Sequence, residues 1–458
     1  MMLHAIKEKI HGFLNKGEER SVLVKKNIGA SFLIKGMTIL ISLILIPLTI
    51  NYVNPERNGI WLTLYSMVFW LILFDVGLGA GVKNKLTEAK AAGDVVLARQ
   101  YISTAYATML IICSSVFILF YFTSLYVDWS KIMNIPQTYK DEVDKLIWIT
   151  IASFCFTYIL NLLKTIVAAD QRPAVGSFVD MLGQLLILVG VFILSKTVPP
   201  SLISLGLVSG FSPVVVLSVA SLLLFNTRYK DWKPGFKYVN FNLVGNVMKL
   251  GIKFFIVYCA ALIVTQTLPF LIQRLTNPIE VTNYNTAFRL FAMALNAMYI
   301  VTVPFWTSFT DAYAKNDFIW MKKSAIHLRK IFIYFLVFQL IILFLSPLIF
   351  HLWVNYWVRD TLHISFFMST AVCVYVSALC WTNINIYPLN GIGKVKLQVY
   401  CSVAEMLALI PLALWLGKLW GAPGIVLAPV ITFIPRMIWA PVQLNKLVNQ
   451  TDKGIWNK

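Results

Sequence analysis

Predominantly apolar runs of about twenty residues or more recur from residue 29 to residue 443, with only short connections between them. Each is long enough to cross a hydrocarbon core of ~30 Å as a helix. In such a medium every backbone N–H and C=O must be satisfied within a helix or a closed barrel. Barrel strands need only ~10 residues, so runs of this length predict an all-α polytopic membrane protein. Twelve segments are read, near 29–51, 59–78, 103–126, 146–168, 174–195, 202–225, 251–273, 284–308, 329–350, 363–388, 396–417 and 421–443. Charged residues make up 13% of the chain, against roughly a quarter in a soluble domain, and no long polar stretch is left to build a soluble enzyme domain.

The net charge of +19 invites a nucleic-acid partner, but the basic residues lie between the apolar segments, where they set topology instead. Counting alternate connections gives 28 Lys and Arg on the side of the N-terminus and 8 on the other. That asymmetry predicts both termini in the cytoplasm. Leu3, Ile6, Ile10 and Leu14 recur at helical spacing and read either as a short helix on the membrane face or as a solvated one. The N-terminus is expected to be retained, because the first apolar run is too long for a signal-peptide core. The six cysteines all fall inside apolar segments without ligand spacing, and the five histidines are terminal or in loops, so neither a metal nor another cofactor is expected.

The chain repeats itself at an offset of 222 or 223 residues. Gly29 and Pro47 are answered by Gly251 and Pro269, and Asn54-Pro55 by Asn277-Pro278. The segment Glu88 to Asp94 is answered by Asp311 to Asp317. Six spans per half is an even number, so the halves enter the membrane in the same direction, as parallel repeats. The expected organisation is an amphipathic segment 1–28, an N-lobe 29–226, a cytoplasmic linker 227–250, a C-lobe 251–443 and a cytoplasmic tail 444–458.

These residues carry a resemblance. The lysine-rich start running into Lys26-Asn27-Ile28-Gly29, Pro47 before the stretch Asn54 to Trp61, Phe74 to Leu78, Glu88 to Asp94, and the turn Asn390 to Gly393 are similar to the multidrug/oligosaccharidyl-lipid/polysaccharide exporter superfamily. Within it the chain resembles the bacterial polysaccharide transporters that flip lipid-linked oligosaccharides, the O-antigen flippase-like proteins. The resemblance implies two six-helix, MATE-like lobes around a cavity lined mainly by the first, second, seventh and eighth helices, working by alternating access in the bacterial inner membrane. It also implies a lipid-linked oligosaccharide as substrate, contact with membrane lipid and with other polysaccharide assembly proteins, and no catalytic residues.

Charged residues inside spans are expensive and mark function or a structural partner. Six are found: Lys35, Asp75, Asp180, Arg289, Glu405 and Arg436. Asp75 reads as structural at a helix end. Lys35 shares a stripe with Ser31, Thr38 and Ser42 and either binds an anionic head group or snorkels to the nearby surface. Asp180 lies at similar depth, so a pair with Lys35 stays open. Glu405 and Arg436 are expected to pair, with ion coupling at Glu405 the alternative. Arg289 lies on a stripe with Asn285, Ala292 and Asn296 and has no acidic residue at its depth. A guanidinium there suits the oxygens of a pyrophosphate. Pro269, following Thr265, Gln266 and Thr267, is a candidate hinge. The tryptophans at span ends, Trp306 among them, read as interfacial anchors before sugar platforms.

A flippase for an undecaprenyl-pyrophosphate-linked oligosaccharide is the leading expectation. A drug exporter of the same fold would be expected to carry acids in the first, seventh and eighth spans, which have none at depth. A membrane polymerase or ligase would need catalytic groups on a sizeable external loop, and the longest such connection, 127 to 145, looks like a solvated charge run.

Overall fold

Helix starts in the chain are written by a few residue types. Asp94, Asp317, Ser201 and Ser365 each accept from the backbone N–H three residues on, at Leu97, Trp320, Ser204 and Met368, satisfying a donor that the first turn leaves orphaned. Pro173, Pro55 and Pro278 begin helices where a missing N–H costs nothing. The computed structural model describes residues 19–68, 78–170, 172–245, 252–355 and 362–457. The amphipathic pattern of Leu3 to Leu14, and Asp75, lie outside the described residues.

The principal helices are α1 (Glu19–Val53), α2 (Pro55–Val68), α3 (Leu78–Ala91), α4 (Val95–Ser124), α5 (Lys140–Leu160), α6 (Leu162–Ala169), α7 (Pro173–Thr197), α8 (Leu202–Asn226), α9 (Ile252–Leu275), α10 (Pro278–Ala314), α11 (Phe318–Phe350), α12 (Phe366–Ile392) and α13 (Lys396–Val448). There is no strand among the described residues. Among the described residues eight helical stretches are long and apolar enough to cross a membrane, and the chain is a multi-pass membrane protein. The polar α10, interrupted by Asn283, Asn285, Arg289 and Asn296, is not among those eight. At 1.5 Å per residue, α13 with its 53 residues would run ~80 Å, far beyond one hydrocarbon core. Gly421, at φ 63° and ψ −145°, breaks it at the first residue of the segment read as the twelfth span.

The described chain forms two compact units. One comprises Met1–Leu45, Phe74–Tyr126 and Lys145–Gly251, the other Ile46–Leu73, Val127–Asp144 and Ile252–Lys458. The first is packed around Leu86, Ile102, Leu163 and Ile166. The second is packed around Phe291, Phe309 and Tyr375, with α12 between α10 and α13. Apolar side chains also face outward: Ile333, Val337, Ile341, Phe344 and Leu348 form an exposed stripe along α11. In water such a stripe would drive association; against lipid it costs nothing.

The turns before α4 and α11 are built alike, bond for bond, at an offset of 223 residues. Asp94 N donates to Ala89 O and Asp317 N to Ala312 O. Gly93 N donates to Lys90 O and Asn316 N to Tyr313 O, and both of these residues hold a left-handed backbone, at φ 72° and 56°. The caps before α2 and α10 match in the same way. Asn54 Oδ1 accepts from Arg57 N and Asn277 Oδ1 from Glu280 N, each at 2.9 Å.

Candidate functional site: a polar face on α10

The first turns of α2 and α10 pack backbone to backbone. A Cβ on Gly59 would lie 1.7 Å from the carbonyl oxygen of Pro278, so no residue larger than glycine fits. Thr282 Oγ1 donates to Pro55 O at 2.7 Å and itself accepts from Asn58 Nδ2 at 3.2 Å. Around this end the 127–144 segment is fastened: Tyr139 OH donates to Glu56 at 2.8 Å, Arg57 lies 3.6 Å from Glu142, and Arg274 donates to Lys131 O. Burial first, and then the bond to Glu56, raises the Tyr139 phenol above its usual value.

From this anchored start α10 shows two faces. Thr286, Ala287, Leu290, Phe291, Ala294 and Leu295 are buried. Between them Asn285 is half-buried, Arg289 and Asn296 are exposed, and the three lie on one face with Ala292. Asn285 Nδ2 is used within the helix, donating to Val281 O at 2.9 Å. Glu280, the nearest acid along α10, instead accepts from Asn283 at 3.2 Å, and burial raises its carboxyl above the ordinary value. Among the described residues no carboxylate pairs with Arg289. An accessible arginine on a face of amides, with no built-in counter-charge, has donor capacity left for an anion.

The other residues singled out in the sequence are placed apart from this face. Lys35 is exposed on α1, in the first unit. The pair left open between Lys35 and Asp180 is corrected: Asp180 binds Lys164 of α6 at 2.7 Å. The reason is local: α6 leads into α7 through a short connection, which brings Lys164, sixteen residues before Asp180, within reach of its carboxylate. Glu405 and Arg436 meet within α13, across its break. Arg436 Nε donates to Glu405 Oε1 at 2.9 Å, Nη2 to the second carboxylate oxygen, and Nη2 also to Ser402 Oγ at 2.9 Å. Pro269 is buried inside α9, which remains helical on both sides of it.

Sequence reasoning missed Asp170. It follows α6 in a connection, buried, with Lys90, Arg228 and Tyr229 bonded to it and Arg172 at 3.6 Å. Burial works to raise its carboxyl, but the donors from Lys90, Tyr229 and Arg228 outweigh it and hold the group below the ordinary carboxylate value. Burial and the bond to Asp170 push the Tyr229 phenol up to about 12. A lone acid within a strongly basic set of connections was the available signal. Because the folded carboxyl titrates below the unfolded one, its contribution is complete above about pH 4 and is lost only as pH falls further. Asp170→Asn is therefore expected to cost about 2 kcal/mol at pH 7, the scale of a charged hydrogen bond. Its unfolding curve should converge with that of the unsubstituted protein as the pH is taken below 4; a constant gap would contradict this account.

The described chain is helical and crosses the membrane repeatedly. Its structure is similar to an inward-facing multidrug resistance MATE family transporter of the MOP superfamily, with TM-score 0.73 and 14% identity over 93% of this chain and 100% of that one. It is also similar to the lipid II flippase MurJ in an inward closed conformation, with TM-score 0.70 and 15% identity over 92% of this chain and 90% of that one. These likenesses establish the fold. The model of the family described as "Polysaccharide biosynthesis protein" matches residues 24–309, and the chain belongs to that family. A Salmonella typhi protein named "Putative O-antigen transporter" is 21% identical over 269 residues, 58% of this chain and 60% of that relative's length.

Proposed function

We propose that the chain is a flippase that carries an undecaprenyl-pyrophosphate-linked oligosaccharide across the bacterial cytoplasmic membrane for polysaccharide or O-antigen assembly. The observation that supports this reading is the accessible Arg289 on the amide face of α10, without an acidic partner among the described residues. Family membership and the relative named as an O-antigen transporter agree with it. In this reading Arg289, with Asn285 and Asn296 beside it, receives the pyrophosphate, and Lys35 attracts the anionic head group. Lobes 29–226 and 251–443 alternate in access, with bending at Pro269. Substrate and other assembly proteins meet the transporter in the membrane.

A leaflet-resolved assay of labelled lipid-linked glycan in vesicles, with and without the protein, tests the proposal directly. Movement that does not depend on the protein would end it. The orientation has its own test. Cysteines placed at Asp94 and Asp317, the two exposed helix caps, are expected to react with an impermeant reagent only from the cytoplasmic side. Labelling of the two from opposite sides would remove the basis for parallel repeats.

A further inference from the structure

Beyond Arg289, α10 continues toward its C-terminal end, and ten residues on, ~15 Å along the axis, stands Tyr299. Trp306 follows at ~25 Å. Both lie roughly 80–100° round the helix from Arg289, at the border of its open face. There they meet α12: the Tyr387 ring centroid is 6.1 Å from that of Tyr299 and 5.7 Å from that of Trp306. Asn383, one turn before Tyr387, donates to Tyr299 OH at 3.3 Å. Neighbours such as Ile384, Asn385, Ile386 and Leu389 are buried, yet Tyr299, Trp306, Asn383, Tyr387 and Asn390 are only half-buried.

Two polar atoms in this group have unused capacity. Asn390 Oδ1 is enclosed and accepts no hydrogen bond, an arrangement that ordinarily costs about 1–3 kcal/mol. Tyr299 OH accepts from Asn383 and donates to no described residue. The framework holding them is rigid. A Cβ on Gly391 would lie 2.2 Å from Trp306 O, and Thr310 Oγ1 donates to Gly391 O at 2.8 Å. Half-buried rings, set beside an amide acceptor and a phenol donor, match a ligand that is C–H on its faces and hydroxyl on its edges. A lipid tail would leave Asn390 unpaired, and Arg329, the arginine that reaches α12, is committed to Asn385 Oδ1 and Pro441 O.

We propose that Tyr299, Trp306, Asn383, Tyr387 and Asn390 form a glycan subsite that holds the sugar residues of the lipid-linked substrate. This rests on the flippase reading and extends it, placing hydroxyl-rich sugar along α10 from the cationic position. The test is equilibrium binding to the full chain in nanodiscs with two probes: undecaprenyl pyrophosphate alone, and the same carrier bearing the oligosaccharide purified from the producing cells. The unsubstituted protein should bind the sugar-bearing probe about tenfold tighter. Tyr387→Leu should erase that difference while leaving affinity for the bare carrier within about twofold, and Tyr387→Phe should retain it. Asn390→Ala, which removes the amide and leaves the rings, should lose part of it and serves if the leucine variant does not fold. Equal affinity of the unsubstituted protein for both probes overturns the subsite alone, as does a parallel loss of both affinities in the variants. Binding of neither probe overturns the flippase reading and the subsite with it.

Discussion

Arg289→Ala is expected to reduce flipping of the lipid-linked oligosaccharide to the protein-independent background while abundance and membrane insertion stay near normal. The asymmetry follows from what the side chain touches. No described carboxylate depends on Arg289 for its charge, so its removal strands nothing in the interior. What is lost is the planar array of donors able to hold two phosphate oxygens at once. Arg289→Lys keeps the charge without that geometry and should recover only part of the activity. Glu280→Ala is the matched control, because Glu280 is engaged with Asn283. If the Arg289→Ala protein flips at the original rate, or if Glu280→Ala reproduces a loss of abundance seen in Arg289→Ala, the substrate role is wrong.

The second large effect is on stability. Glu405→Gln and Arg436→Gln should each cost about 3–5 kcal/mol, because each leaves a buried charge without its opposite. The double substitution should cost clearly less than the sum, since it strands neither. Equilibrium unfolding in detergent, or abundance in the membrane, reads both. Ser402 sharpens the expectation. Its hydroxyl also receives Arg436 Nη2, so in Glu405→Gln the guanidinium keeps one partner, and the loss there should be the smaller of the two. Strict additivity would show that the two side chains do not depend on one another.

The membrane-spanning, all-helical class was legible because apolar length is a one-dimensional property, set by bilayer thickness alone. Asp94 and Asp317, matched in the sequence by their offset alone, prove to cap helices in the same way. Partners across helices are a different matter. Depth could be counted along the sequence, and it put Asp180 level with Lys35, but azimuth could not. The lysine that reaches Asp180 is Lys164, from the helix that precedes Asp180's own. Asp170 escaped notice because its three bonded partners lie 80, 58 and 59 residues away, and a single acid in a loop looks ordinary. The aromatic group around Tyr387 was invisible for a related reason. Tyr299 and Trp306 lie seven residues apart on α10, but the residues they meet, Asn383 and Tyr387, are on α12, more than eighty residues further along the chain.

Gly93 and Asn316 differ in side chain and share a backbone dihedral, with the same bonds formed on either side of them. A comparison that scores residue identity counts that pair as a mismatch. One that scores conformation counts it as a match, because asparagine is among the few residues that tolerate a left-handed φ where glycine is free to adopt it. What persists between the two turns is an angle, carried by two amino acids that reach it for different reasons. The likeness of these two turns is therefore recorded more faithfully in their torsions than in their alphabet.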